Sequence, residues 1–203
     1  MVQQRMGENI TLEWEGDPYA HFVWDALRLL EVDSEKGMSA LLDLGAQGSS
    51  LALMFAGHRY AHGINNVSKN EETAIRLLRQ SFDLGSIEGG YLLGFQQMAN
   101  GRLKEGLDTY NRLSDLGYMP AMYVIGYHYV LGDPSIRNTE KGAEFFKRAA
   151  HCGHLWARRE RANLMIGRKT IHGFVIGWIM KIASVIPFVY FRLSYPNSDR
   201  LRT

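Results

Sequence analysis

His58 and His62 stand four residues apart, the spacing at which two imidazoles on one helix can hold a metal ion. No glutamate completes an H-E-x-x-H motif around them, and no third ligand follows at a matching distance. They are read as a histidine pair on one helix face, and no metal is expected. "AHCGH" places Cys152 between His151 and His154. A nucleophilic cysteine needs a nearby base and a lowered thiol pKa. This one falls at a helix end, where packing is the simpler reading. No phosphate-binding G-x-x-x-x-G-K-[ST], dinucleotide-binding G-x-G-x-x-G at a strand–helix turn, or G-x-S-x-G nucleophile turn is present. The chain is therefore expected to have no catalytic residues and no cofactor.

The totals agree with an ordinary folded soluble protein. The chain has 203 residues, 46% of them hydrophobic, and a net charge of +2. That charge gives no basis for nucleic-acid binding, although seven Lys or Arg against one acid (Glu160) lie between Lys147 and Lys169. One cysteine permits no intrachain disulfide, which suits a reducing compartment. The opening "MVQQRMGENITLEWEGD" is polar and acidic, without the apolar centre of a secretory signal.

The elements that would carry these residues come from a repeat. "LGYMPAMYVIGYHYVLGD" has helical periodicity yet holds Gly126 at its centre, where glycine costs about 1 kcal/mol relative to alanine. The spacing Ala121, Gly126, Tyr129, Gly132 recurs as Ala52, Gly57, Tyr60, Gly63. A weaker copy has Gly89, Gly94 and Gln97, and a decayed one has Ala157, Ala162 and Met165. A second helical stretch precedes each copy and ends at Gly48, Gly85, Gly117 or Gly153, which lie 37, 32 and 36 residues apart. These end glycines suit C-caps with positive φ, and the central glycines suit close helix crossings.

This pattern resembles the Sel-one-like repeat family, relatives of the tetratricopeptide repeats, over residues 37–167. The resemblance implies an all-α fold, a right-handed α/α superhelical solenoid of helix pairs, acting as a non-enzymatic scaffold or adaptor. Residues 1–36 would hold an N-terminal capping helix (17–32), 37–168 the repeats, and 169–203 a hydrophobic C-terminal helix with a basic tail. By analogy with tetratricopeptide repeats, the first helix of each pair lines the concave face. The residues expected there to contact a protein or peptide partner are Met54, His58 and His62; Tyr91 and Phe95; Tyr123 and Tyr127; Arg159 and Asn163. The other reading is that these rings pack between neighbouring helices.

Between Ile171 and Phe191, 15 of 21 residues are apolar. Gly173, Gly177, Lys181 and Ser184 form a narrow small-and-polar stripe, with Trp178 on the wide apolar one. Gly173 and Gly177 make a G-x-x-x-G, a helix-packing surface in lipid. Three readings stand open: a membrane span, an in-plane amphipathic helix, and a helix docked on the last repeat or on a partner. The basic residues Arg158, Arg159, Arg161, Arg168 and Lys169 fit the first two. The expectation is a repeat protein on the cytoplasmic side of a membrane, contacting the membrane or a membrane protein through residues 171–191. The alternative is a soluble subunit whose apolar helix docks into a larger complex.

Overall fold

A computed structural model describes residues 8–167 and 170–203. Arg168 and Lys169, two members of the expected basic cluster, lie outside the described residues. Every regular element among the described residues is helical: α1 (Glu8–Gly16), α2 (Ala20–Val32), α3 (Ser34–Ala46), α4 (Ser50–His62), α5 (Glu71–Asp83), α6 (Ile87–Ala99), α7 (Leu103–Asp115), α8 (Met119–Leu131), α9 (Thr139–His151), α10 (Leu155–Ile166), α11 (Ile171–Ala183) and α12 (Val185–Ser194), then a 3₁₀ turn at Asp199–Leu201. The all-α helix-pair architecture expected from the repeat is the one the chain adopts. Two compact units are present, one of residues 9–109 and one of Glu8 with residues 110–203.

Local sequence explains where the helices begin and end. Asp33, Ser49, Asn70, Ser86, Asn138 and His154 each accept a backbone N–H three residues on, as N-caps do. The end glycines Gly48, Gly85, Gly117 and Gly153 have φ of 102°, 99°, 85° and 99°, a region that a side chain would strain.

In the unit of residues 9–109, α2 pairs with α3, α4 with α5, and α6 with the start of α7. Leu41, Leu51, Leu77, Leu78 and Leu93 are fully buried between them. The weaker repeat copy is repaired by a polar pair: the Thr109 hydroxyl donates to Gln97 Oε1 at 2.7 Å, both buried, where the two clear copies have Tyr60 and Tyr129. The expected capping helix 17–32 begins at Ala20 and forms a regular pair with α3. Ahead of it lies α1, which the sequence reading did not anticipate. Trp14 holds α1 down by edge-on contacts with Trp24 and Phe55, at 5.8 and 5.7 Å between ring centres.

In the other unit, α8 packs on α9 and α10 on α11. Met122, Tyr123, Phe146, Ala149 and Ala157 form its core. The apolar segment thus supplies α10 with its partner helix, and the expected domain break at residue 169 falls between the two members of this pair. A β-carbon on Gly177 would lie 2.9 Å from the Ala162 carbonyl oxygen, so the two backbones touch there. Gly173, Gly177 and Ser184, three members of the small-and-polar stripe, are buried. Of the three readings of the segment, docking on the last repeat describes the packing of α11. Helix α11 stops at Ala183 because Pro187 offers no N–H to its carbonyl, and α12 starts one residue later.

Candidate functional site

The first helices α4, α6, α8 and α10 carry all nine residues expected to meet a partner. On α4, Met54 is buried, His58 half-buried and His62 exposed. The two imidazoles lie 4.6 Å apart between ring centres. Burial pushes the His58 pKa down to about 4, helped by His62 and by Arg59, whose Nη1 is 3.2 Å from His58 Nδ1. His58 is therefore neutral at physiological pH. On α6, Tyr91 is buried and Phe95 is 49% exposed.

On α8, Tyr123 lies inside. It stacks on His154 at 4.7 Å and contacts Phe146 at 5.6 Å. Tyr127 is 6.4 Å from Tyr123 and 44% exposed. On α10, the exposed Arg159 lies over the Trp156 ring at 5.5 Å, and Asn163 donates to Glu160 at 3.3 Å. Each couple thus has an inner member that packs between helices and an outer member that meets solvent: Tyr91 with Phe95, and Tyr123 with Tyr127.

His154, beside Cys152, has another role. His154 is fully buried at the start of α10. Its Nδ1 accepts from the Ala157 N–H at 3.2 Å, so Nε2 carries the proton it gives to the Arg202 carbonyl at 2.6 Å. Burial lowers its pKa to about 4. Cys152 caps the end of α9, as its position suggested, but it is exposed rather than packed. Among the described residues no group of three or more His, Cys, Asp or Glu could hold a metal ion.

Sequence reasoning missed three carboxylates on and beside α1. Asp17 accepts from the Ser49 hydroxyl at 2.9 Å and the Leu51 N–H at 3.2 Å, at the start of α4. Glu13 accepts from the Ser86 hydroxyl at 2.6 Å and the Glu88 N–H at 2.8 Å, at the start of α6. Burial raises the Glu13 pKa despite both bonds. In the other unit, Glu8 accepts from Ser198 and from the Asp199 N–H at 2.6 Å. Negative charge at helix N-termini is favourable because the first N–H groups lack partners. The one local signal, a run of acids ahead of the repeats, does not say what they cap.

The C-terminal tail is tied down as firmly. Tyr118 donates to the buried Asp199 at 3.2 Å, and Trp156 Nε1 donates to the Leu201 carbonyl at 3.0 Å. Trp156 also meets Phe188 of α12 edge-on at 4.8 Å.

Residues 50–86 and 120–154 match the Sel1 repeat; these stretches cover the α4–α5 pair and, but for Met119, the α8–α9 pair. Three solved structures are similar in fold. A Sel1 repeat protein from Oxalobacter formigenes aligns with a TM-score of 0.58 at 20% identity, over 75% of this chain and 65% of that one. A protective antigen with an SLR fold, present in uropathogenic Escherichia coli strains, aligns with a TM-score of 0.60 at 17% identity, over 79% of this chain and 38% of that one. A Pseudomonas aeruginosa protein aligns with a TM-score of 0.50 at 18% identity, over 83% and 67%. The chain thus spans less than two thirds of the first two. No curated protein matches it by sequence.

Proposed function

We propose that this chain, which carries Sel1 repeats, is a non-enzymatic scaffold that binds a protein or peptide on the concave face formed by its first helices. The observation that carries this reading is an exposed aromatic ring on a first helix of each unit, Phe95 on α6 and Tyr127 on α8, each one turn beyond a buried tyrosine. Exposed aromatic rings of this kind are where interfaces concentrate binding energy. His62 and Arg159 add polar, exposed groups on α4 and α10.

The C-terminal helices bring this scaffold to the cytoplasmic side of a membrane. Residues 171–194 form a helical stretch of 24 residues, long and apolar enough to cross a bilayer, with a mean hydropathy of 1.9 over its most apolar window. Basic residues precede it in excess, as a cytoplasmic flank requires. A second reading, a soluble subunit docking by the same helices into a complex, draws on the packing of α11 against α10.

Affinity capture tests the scaffold reading. Wild-type protein should retain a specific partner that a folded Phe95→Ala/Tyr127→Ala variant loses. Equal capture by both would remove these helices from the interface.

A further inference from the structure

Helix α11 stands in the same relation to α10 as α5 does to α4 and α9 to α8, yet its outer face has the opposite chemistry. The solvent face of α5 carries Glu72, Arg76, Arg79 and Asp83, and that of α9 carries Glu140, Glu144, Lys147 and Arg148. The matching face of α11, continued by α12, presents Ile171, Trp178, Ile179, Ile182, Ile186 and Leu193, exposed by 44 to 86%. On α11, Trp178, Ile179 and Ile182 follow Ile171 by seven, eight and eleven residues, which keeps these four on one side of the helix. An apolar face in a position that is charged elsewhere in the same fold marks a different surrounding medium.

The medium is constrained by the other face. The stripe that would bind a second membrane helix is already occupied: a β-carbon on Gly177 would meet Ile166 N at 2.8 Å and the Ala162 carbonyl oxygen at 2.9 Å, both on α10. Helix α10 carries Arg158, Arg159, Glu160 and Arg161 in succession and cannot follow α11 into hydrocarbon. Charge then selects the surface. From Arg161 to Ser198 there is no acidic residue, while Lys181 and Arg192 lie within the segment, Lys181 with its ammonium 5.4 Å from the centre of the Trp178 ring.

We infer that the outer face of α11 and α12 lies flat in the headgroup region of an anionic bilayer, with α11 still paired to α10. This rests on the membrane reading above and makes it specific: the contact is peripheral and lipid-directed, and the G-x-x-x-G stripe belongs to the repeat array. Interfacial helices of this kind bury an apolar face, place aromatic rings near the headgroups and draw affinity from basic residues.

Flotation of the purified full-length chain with phosphatidylcholine vesicles, and with the same vesicles containing phosphatidylserine, tests this. Binding should be at least about tenfold stronger to the anionic vesicles, reversed by high salt and by alkaline carbonate. Ile179→Glu/Ile182→Glu, at two exposed positions, should keep its helical circular dichroism and abolish flotation. Hydrogen exchange of the bound protein should leave the α10–α11 amides protected. Equal binding to both vesicles with resistance to carbonate would overturn the in-plane assignment while keeping a membrane anchor. No binding to either vesicle would overturn both. A dimer in solution that the double glutamate variant dissolves, without vesicle binding, would assign the face to a second copy and overturn the proposal.

Discussion

Gly126 and Gly142 face each other across α8 and α9 at backbone contact. A β-carbon on Gly126 would lie 3.1 Å from the Gly142 carbonyl oxygen, and one on Gly142 would lie 2.9 Å from that of Gly126. Gly106 meets the Gly94 carbonyl oxygen in the same way, at 2.9 Å. This is why the helix "YVIGYHYV" tolerates a glycine at its centre: the close crossing forbids any side chain there.

Gly126→Ala should therefore destabilise the protein by about 1–3 kcal/mol, the scale of core overpacking, although alanine gains roughly 1 kcal/mol over glycine in an exposed helix. The added methyl would come within 2.7 Å of Phe146 Cδ1, and Phe146 is 1% exposed. Urea midpoints measure the effect. Phe146→Leu should relieve part of it, so the double variant should be less destabilised than the two single changes summed.

Tyr123 and Tyr127 should separate in a mutational scan. Tyr123→Ala removes a ring held between Phe146 and His154 and should cost about 3–5 kcal/mol, as large aromatic deletions do. Tyr127→Ala, at an exposed position, should change stability by about 0.5 kcal/mol or less. A lost partner with an unchanged melt then marks Tyr127 as a contact residue. A large stability loss in Tyr127→Ala would refute the surface assignment.

His154 should make the fold acid-sensitive. Its folded-state pKa is about 4, below the ordinary histidine value of 6.5. The unfolded chain therefore binds a proton that the native state refuses between those values, and stability falls as pH drops from 6.5 toward 4. The loss amounts to about 3–4 kcal/mol at most. The less buried His58, also at about 4, acts in the same direction. Glu13, with a raised pKa, acts oppositely: its contribution is present below the ordinary glutamate value and fades as pH rises through its own. His154→Ser, which keeps an N-cap of the kind seen at Ser49 and Ser86, should flatten the fall while lowering stability at pH 7. Denaturation at a series of pH values reads both.

Glu13→Ala should leave the Ser86 hydroxyl and the Glu88 N–H without their carboxylate. Loss of a buried acceptor costs about 1–3 kcal/mol. Limited proteolysis should then cut within residues 8–19 more readily than in the wild type, before it cuts the repeats. Equal protection in the variant would show that the remaining contacts of Glu8, Trp14 and Asp17 suffice to hold this segment.

The carboxylates on and beside α1 mark the limit of sequence reading. Glu13 and Asp17 look like ordinary acidic surface residues until α4 and α6 bring Ser49 and Ser86 to them, 32 and 73 residues away. The G-x-x-x-G at Gly173 was legible as a packing surface, but not its partner. A stripe of small residues states how closely something can approach, and only the position of α10 states what approaches.

What the sequence determined by itself is local. The helix pairs, their register and the left-handed turns at Gly85 and Gly153 follow from periodicity and from the φ values each residue permits. The tertiary structure decided what is non-local: that Tyr91 and Tyr123 turn inward while Phe95 and Tyr127 stay outside, that His154 is a buried neutral cap, and that α11 completes a pair with α10 and leaves its apolar face bare. Exposure depends on which neighbour covers a side chain. That is set by packing between segments tens of residues apart, and no spacing within one helix encodes it.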